Sequence, residues 1–427
     1  MSIAVPSARS RTLAMLALVV AGELIFSLPF HVPRYFRASV LTGFELSNTA
    51  LGDVFAVYGV TAMLSYFPGG ALADRLPPRR LLCLSLLATA LGGLYLATLP
   101  GPRGLAALYG YWGVTTILLF WAAMIRATRE WGGARAQGRA FGLLDGGRGL
   151  AAAVFASAAV AVFAELAGGL DATLDAQARR AGLRAVALFY TGATAAAALL
   201  VWRWLPADGA ASDIASRPRM IGVGQVLRLP AVWWQALVVV AAYCGFKGLD
   251  NYALYAHQVL GLDETRAAGF GALNAYLRPL AAVAAGFAAD RLGVARSVVG
   301  LFALLVLVYA ALALVTGAGG LAWLVYANLA VSSAAVFALR GVYFALLEEA
   351  RIPAHVTGTA VGVVSLIGFT PDIFFAAIAG RLLDAAPGAA GHRHYFVLLA
   401  GIAIIGAVAA AILARHAARR RQHAEEI

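Results

Sequence analysis

Gly70-Ala-Leu-Ala-Asp74-Arg75-Leu-Pro-Pro-Arg79-Arg80 and Gly286-Phe-Ala-Ala-Asp290-Arg291-Leu-Gly-Val-Ala-Arg296 are two versions of one short loop, one in each half of the chain. In each, a glycine precedes an Asp-Arg pair by one helical turn, and the loop joins two long apolar runs. A repeat displaced by half the length of the chain predicts two copies of one arrangement. The loop has its own physical logic. Its glycine, Gly70 or Gly286, would permit close helix approach, its acid would sit against a helix N-terminus, and its arginines would bridge acidic groups on one membrane face.

The runs flanking these loops set the class of protein. The chain has 427 residues, of which 62% are hydrophobic and 13% charged, with a mean hydropathy of +0.80. Soluble domains are about 45–50% apolar and about 25% charged, so a soluble globular fold is excluded. Apolar runs continue from Leu13 to Leu413 with short polar breaks. Spans of about 20 residues then predict twelve transmembrane helices, over roughly 12–36, 48–73, 80–99, 104–126, 139–167, 184–204, 230–257, 265–289, 296–317, 320–347, 355–383 and 394–415. The first of these is too long for a signal peptide and is expected to be retained.

Thirty-two arginines and one lysine give a net charge of +12. They cluster between spans, which points to membrane orientation rather than nucleic acid. With both termini cytoplasmic, inner segments hold twenty basic residues and outer segments nine, so the expectation is a multi-pass inner-membrane protein with cytoplasmic termini. The longest polar break, Pro206 to Arg228, divides the chain into an N-terminal bundle at 1–204, a linker at 205–228 and a C-terminal bundle at 229–427. The fold class is all-α and polytopic, twelve helices in two pseudo-symmetric six-helix bundles.

The repeated G-x-x-x-D-R-x-x-x-[RK] loop resembles the signature of the major facilitator superfamily, over the whole chain. The resemblance implies two bundles rocking about a central site, with Gly70, Asp74, Arg75, Gly286, Asp290 and Arg291 in gating loops on the cytoplasmic side. Within that superfamily the chain looks most like the organophosphate and sugar-phosphate permease branch. The residues that carry this are Arg126-Ala-Thr-Arg-Glu-Trp131, Gly138-Arg-Ala-Phe-Gly142 and Thr357-Gly-Thr-Ala-Val-Gly362. In that branch a cavity histidine stands at a fixed spacing after the fourth-span arginine; here that spacing lands on Arg148. The first-span cation of the branch is similar to Arg34, and the seventh-span cation falls just before Lys247.

Charges too deep in a span to reach water are candidates for function irrespective of family, because each costs about 2.5 to 3.5 kcal/mol to insert. These are Glu23, Asp145, Arg148, Lys247, Asp250, Arg278, Arg340 and Asp372. Asp145 with Arg148 and Lys247 with Asp250 are each spaced i, i+3, and could be local pairs alone. Lys247 is the chain's only lysine, and its compact ammonium suits an anion site. Arg278 or Arg340 would bind the anion or pair with Asp372. Tyr252 is the aromatic chosen for the cavity. The seven histidines are poorer candidates, with His31 placed near the outer end of the first span and His257 near that of the seventh. No metal-ligand spacing, nucleophile or acid/base constellation appears, so neither an enzyme, a metal nor a cofactor is expected.

The function expected is secondary active transport of a small organic anion (a sugar phosphate, sugar acid or similar) by alternating access. Lys247 and Arg148 would bind it, with Arg34, Arg278, Arg340 and Tyr252 assisting. Glu23, Asp145, Asp250 or Asp372 would carry a coupling proton, unless a counter-anion drives exchange. The expected partners are that anion, the coupling ion and the lipid bilayer, with a monomer as the working unit and no nucleic acid. The alternatives are a proton-driven exporter of cationic or amphipathic compounds, with Glu23 and Asp372 as counter-ions, and a non-transporting membrane sensor.

Overall fold

The computed structural model describes residues 8–133, 136–166, 174–207, 223–314, 322–346 and 357–425, and every regular element among them is helical. In hydrocarbon a helix satisfies its own backbone, which these uniformly apolar segments require. The elements are α1 (Ala8–Leu24), α2 (Val32–Tyr35), α3 (Arg37–Gly43), α4 (Asn48–Arg75), α5 (Pro78–Leu96), α6 (Pro102–Thr116), α7 (Ala122–Gly132), α8 (Gln137–Leu166) and α9 (Ala176–Trp204). After these come α10 (Val223–Leu227), α11 (Pro230–Gly248), α12 (Tyr252–Gln258), α13 (Glu264–Ala275), α14 (Leu277–Leu292), α15 (Val294–Leu314), α16 (Ala322–Val342), α17 (Thr357–Gly368), α18 (Pro371–Ala385) and α19 (Ala389–Glu425).

Ten helices among the described residues are long and apolar enough to cross a membrane, and the bent pair Arg9–Leu24 and Ser27–Tyr35 makes an eleventh. The remaining expected span, 265–289, is divided at Tyr276 into α13 and α14. Pro279 lies in the first turn of α14 and has no amide hydrogen for the carbonyl one turn earlier, so the ladder breaks there. Other spans bend through wider turns. A π turn at Ser27–His31 joins α1 to α2, and another at Ile117–Trp121 joins α6 to α7. Residues 249–251 form a 3₁₀ turn between α11 and α12.

The contacts sort the chain into two compact units. One is Met1–Asp213 with Leu262–Tyr276, and the other is Ile214–Gly261 with Leu277–Ile427. Helix α13, though coded in the second half, packs on α8, α2 and α3 and so belongs to the first unit. Of the expected linker, residues 208–222 lie outside the described residues. Leu64, Leu91, Leu199 and Leu307 stand exposed on the outside of their helices, as a lipid surround favours.

One expectation about the repeated loop needs correction. A side chain added at Gly70 or at Gly286 would meet nothing within 4 Å, so neither glycine marks a close helix approach. The close approach belongs to Gly69, where an added Cβ would lie 2.9 Å from the carbonyl oxygen of Leu118. The reason is azimuth, since adjacent helical residues face about 100° apart, and it is Gly69 that is buried. Asp74, Arg75, Asp290 and Arg291 are exposed. The end of α4 is held from α7 instead, where Arg126 Nη1 donates to the carbonyls of Ala73 at 2.6 Å and Leu76 at 3.4 Å.

Candidate functional site

In the first unit the deep charges converge where α1 breaks. Glu23 is buried at the penultimate position of α1. Its Oε1 lies 3.2 Å from His31 Nε2, and its Oε2 lies 3.2 Å from Arg148 Nε on α8. The spacing from Glu23 to His31 overshoots two regular turns by about a fifth of a turn. The wider π turn at Ser27–His31 absorbs that excess, so His31 faces back toward Glu23. His31 is buried, with its ring edge-on to Tyr35 at 5.4 Å and to Tyr190 of α9 at 5.7 Å.

The break itself is satisfied by side chains. The carbonyl of Leu24 accepts hydroxyl hydrogen bonds from Ser27 at 2.7 Å and from Thr194 of α9 at 3.2 Å. Close approach of α8 to α1 makes the Glu23–Arg148 bridge possible. A Cβ on Gly147 would lie 2.7 Å from Val19, and one on Gly22 would lie 3.2 Å from Arg148 Cδ. The guanidinium of Arg148 also sits 5.8 Å from the ring of Phe26. Tyr190 interacts electrostatically with Tyr35, Glu23 and Arg34, and Asp145 lies one turn before Arg148 on α8.

The second unit repeats the plan with different residues. Lys247, buried near the end of α11, places Nζ 3.5 Å from Asp250 Oδ2 and 3.4 Å from Asp372 Oδ1 in the first turn of α18. Tyr243 donates to both oxygens of Asp372, at 3.1 and 3.0 Å. The break after Gly248 is again met by side chains: Tyr395 of α19 donates to the Gly248 carbonyl at 2.7 Å and accepts from Asn251 at 3.1 Å. Arg340 on α16 takes no carboxylate among the described residues. Its guanidinium lies 3.8 Å from the ring centre of Phe246 and 5.9 Å from that of Tyr243, and its buried Nη1 has no hydrogen-bond partner there.

Of the residues singled out in the sequence, the structure brings Glu23 to Arg148, and Lys247 to both Asp250 and Asp372. The local spacing accounts for only part of either cluster, because Glu23 and Asp372 come from other helices. Asp372 pairs with neither Arg278 nor Arg340 among the described residues. Arg278 is buried at the start of α14. Tyr252 is buried with its hydroxyl 2.7 Å from that of Ser332 on α16, an interhelical bond within the bundle. His31 is the residue that sequence reasoning passed over. A signal was available: His31 stands as far before Gly70 as Lys247 stands before Gly286. Among the described residues no group of His, Cys, Asp and Glu could hold a metal ion.

Broken first helices carrying buried ion clusters in both halves are an arrangement of membrane transporters. The profile of the Major Facilitator Superfamily matches residues 10–376, and the chain belongs to that family. It is similar to the inner membrane protein YihN of Escherichia coli (strain K12), 27% identical over 414 residues that cover 95% of this chain and 96% of that protein. It is also similar to the inner membrane protein YqcE of the same organism, 26% identical with 85% and 84% covered. Among solved structures, the fold is similar to a bacterial homolog of the human lysosomal transporter Spinster in its inward-facing, unoccupied conformation. That likeness has a TM-score of 0.77 at 14% identity, covering 97% of this chain and 99% of that one. The nucleoside transporter NupG gives a TM-score of 0.68 at 11% identity, with 95% and 98% covered. The fold is that of a secondary transporter, multi-pass in the membrane, and not of an enzyme.

Proposed function

We propose that this transporter carries a small organic anion across the inner membrane by alternating access, between halves at 1–204 and 229–427. Arg340 is the observation that supports the anion best. It stands in the last turn of α16 with its Nη1 buried, has no acidic partner among the described residues and rests on two aromatic rings. A guanidinium withdrawn from water within a span is costly without compensation. Aromatic faces attract the flat side of a guanidinium and leave its N–H edge, whose fork matches a carboxylate, sulfonate or phosphate in two hydrogen bonds. Substrates of the organophosphate and sugar-phosphate permease kind fit that geometry. Lys247 and Arg148, each already facing carboxylates, hold their charge ready for exchange. Glu23 and Asp372 then serve as coupling carboxylates rather than as counter-ions for a cationic substrate, since both already face cations.

Thermal unfolding of the purified protein against sugar phosphates, sugar acids, sulfonates, dicarboxylates and cationic dyes tests this reading. An anion should stabilise wild-type protein, and Arg340→Met should abolish the stabilisation while melting near wild type without ligand. Stabilisation by cationic dyes alone would replace the anion with a cation.

A further inference from the structure

We propose that His31 is a coupling residue, and that with Glu23 it forms a proton port deciding whether Arg148 is available to an anion. Two independent observations carry this. The first is geometric: one buried carboxylate is shared, oxygen by oxygen, between an imidazole and a guanidinium, each at 3.2 Å. The second is the repeat. At an identical distance along the chain from its loop glycine, the first half carries His31 and the second carries Lys247, and each contacts a buried carboxylate at a helix break. The two halves therefore place a nitrogen base at equivalent positions, but only the first uses one that exchanges its proton near neutral pH.

The charged and titratable groups that interact at this port are Glu23 from α1, Arg34 and Tyr35 from α2, Arg148 from α8 and Tyr190 from α9, and Asp145 stands one turn before Arg148 on α8. A proton taken from water by His31 passes from Nε2 to Oε1 of Glu23, which becomes a neutral carboxylic acid. Arg148 then lacks that negative charge, and an anion supplies it. On departure of the anion the proton returns through His31 to water and Glu23 closes again on Arg148. Proton and anion thus bind together and travel in the same direction. The anion half of this scheme rests on the function proposed above; the proton half does not.

Infrared difference spectroscopy of the full chain in lipid reads carboxyl protonation without any substrate. Stepping from about pH 8 to about pH 5 should raise a carboxylic-acid band that Glu23→Gln removes. His31→Gln should keep that band but move its midpoint by about one pH unit, a tenfold change in proton affinity. His31→Lys, which copies the second half and should fold, should suppress the band over the same range. A Glu23 band that is absent, or that ignores both His31 variants, overturns the proposal. The titration is then repeated at neutral pH with inorganic phosphate, gluconate and propanesulfonate in turn. An anion that raises the Glu23 band supports binding in common, and one that lowers it overturns the coupling direction. A His31-dependent band that responds to none of the three removes the anion reading while the proton port stands.

Discussion

The ammonium of Lys247 lies 3.4 Å from one oxygen of Asp372, a residue on a different helix, while the carboxylate of Asp250 lies 3.5 Å away. One cation thus serves two acids. Removing it takes the ammonium away from the buried Asp250 and the part-buried Asp372, and breaking a buried pair in this way costs about 3 to 5 kcal/mol. Lys247→Ala should therefore lower the unfolding temperature sharply in detergent, and adding Asp250→Asn with Asp372→Asn should recover most of it. If Lys247→Ala alone melts like wild type, the carboxylates do not depend on the ammonium. If the stable triple variant binds the anion of the thermal screen as wild type does, Lys247 plays no part in recognition.

Two adjacent glycines should respond in opposite ways. Gly69→Ala drives a methyl group into the backbone of Leu118, which cannot move aside as a side chain can, and should cost about 1 to 3 kcal/mol. Gly70→Ala meets open space and should be neutral, or stabilising by up to about 1 kcal/mol through helix propensity. Thermal melting of the two variants side by side checks the assignment, and equal effects would refute it.

Glu264 at the start of α13 accepts a two-pronged hydrogen bond from Arg179 of α9, at 2.7 to 3.1 Å, and another from the hydroxyl of Ser39 on α3. Both charged side chains are largely shielded from solvent. A double-mutant cycle with Glu264→Gln and Arg179→Gln should give a coupling of about 1.5 to 3 kcal/mol in unfolding, the range for hydrogen bonds to charged groups. Additive effects would show that the pair contributes nothing specific.

The twenty-to-nine distribution of basic residues predicts a cytoplasmic C-terminus. A green fluorescent protein fused after Ile427 should fluoresce, and alkaline phosphatase fused there should be inactive, as a cytoplasmic end requires. The reverse pattern would overturn the cytoplasmic placement of the C-terminus.

Much of the fold was legible because membrane insertion leaves few choices. The apolar runs and the repeat at Asp74 and Asp290 marked the spans and their twofold organisation without any knowledge of contacts. What hides from such reading is azimuth. Gly69 and Gly70 are neighbours in sequence but face different surroundings, and His31 reaches Glu23 only because a π turn replaces an α turn between them. Arg148 and Asp372 were recognisable as deep charges, but their partners lie on other helices and no local spacing names them. Arg340 was one of several deep cations on the sequence. What distinguishes it, its aromatic rest and its lack of an acidic partner among the described residues, exists only in three dimensions.

The solitude of Lys247 has a practical side. A protease specific for lysine finds one peptide bond to cut in the whole sequence, between Lys247 and Gly248, and that bond lies at the buried end of a helix whose last carbonyl is already bonded to Tyr395. The folded transporter should resist such an enzyme completely, and the unfolded chain should yield two fragments. Cleavage by that single reagent thus counts unfolded molecules, in detergent or in lipid, with no label and no substrate.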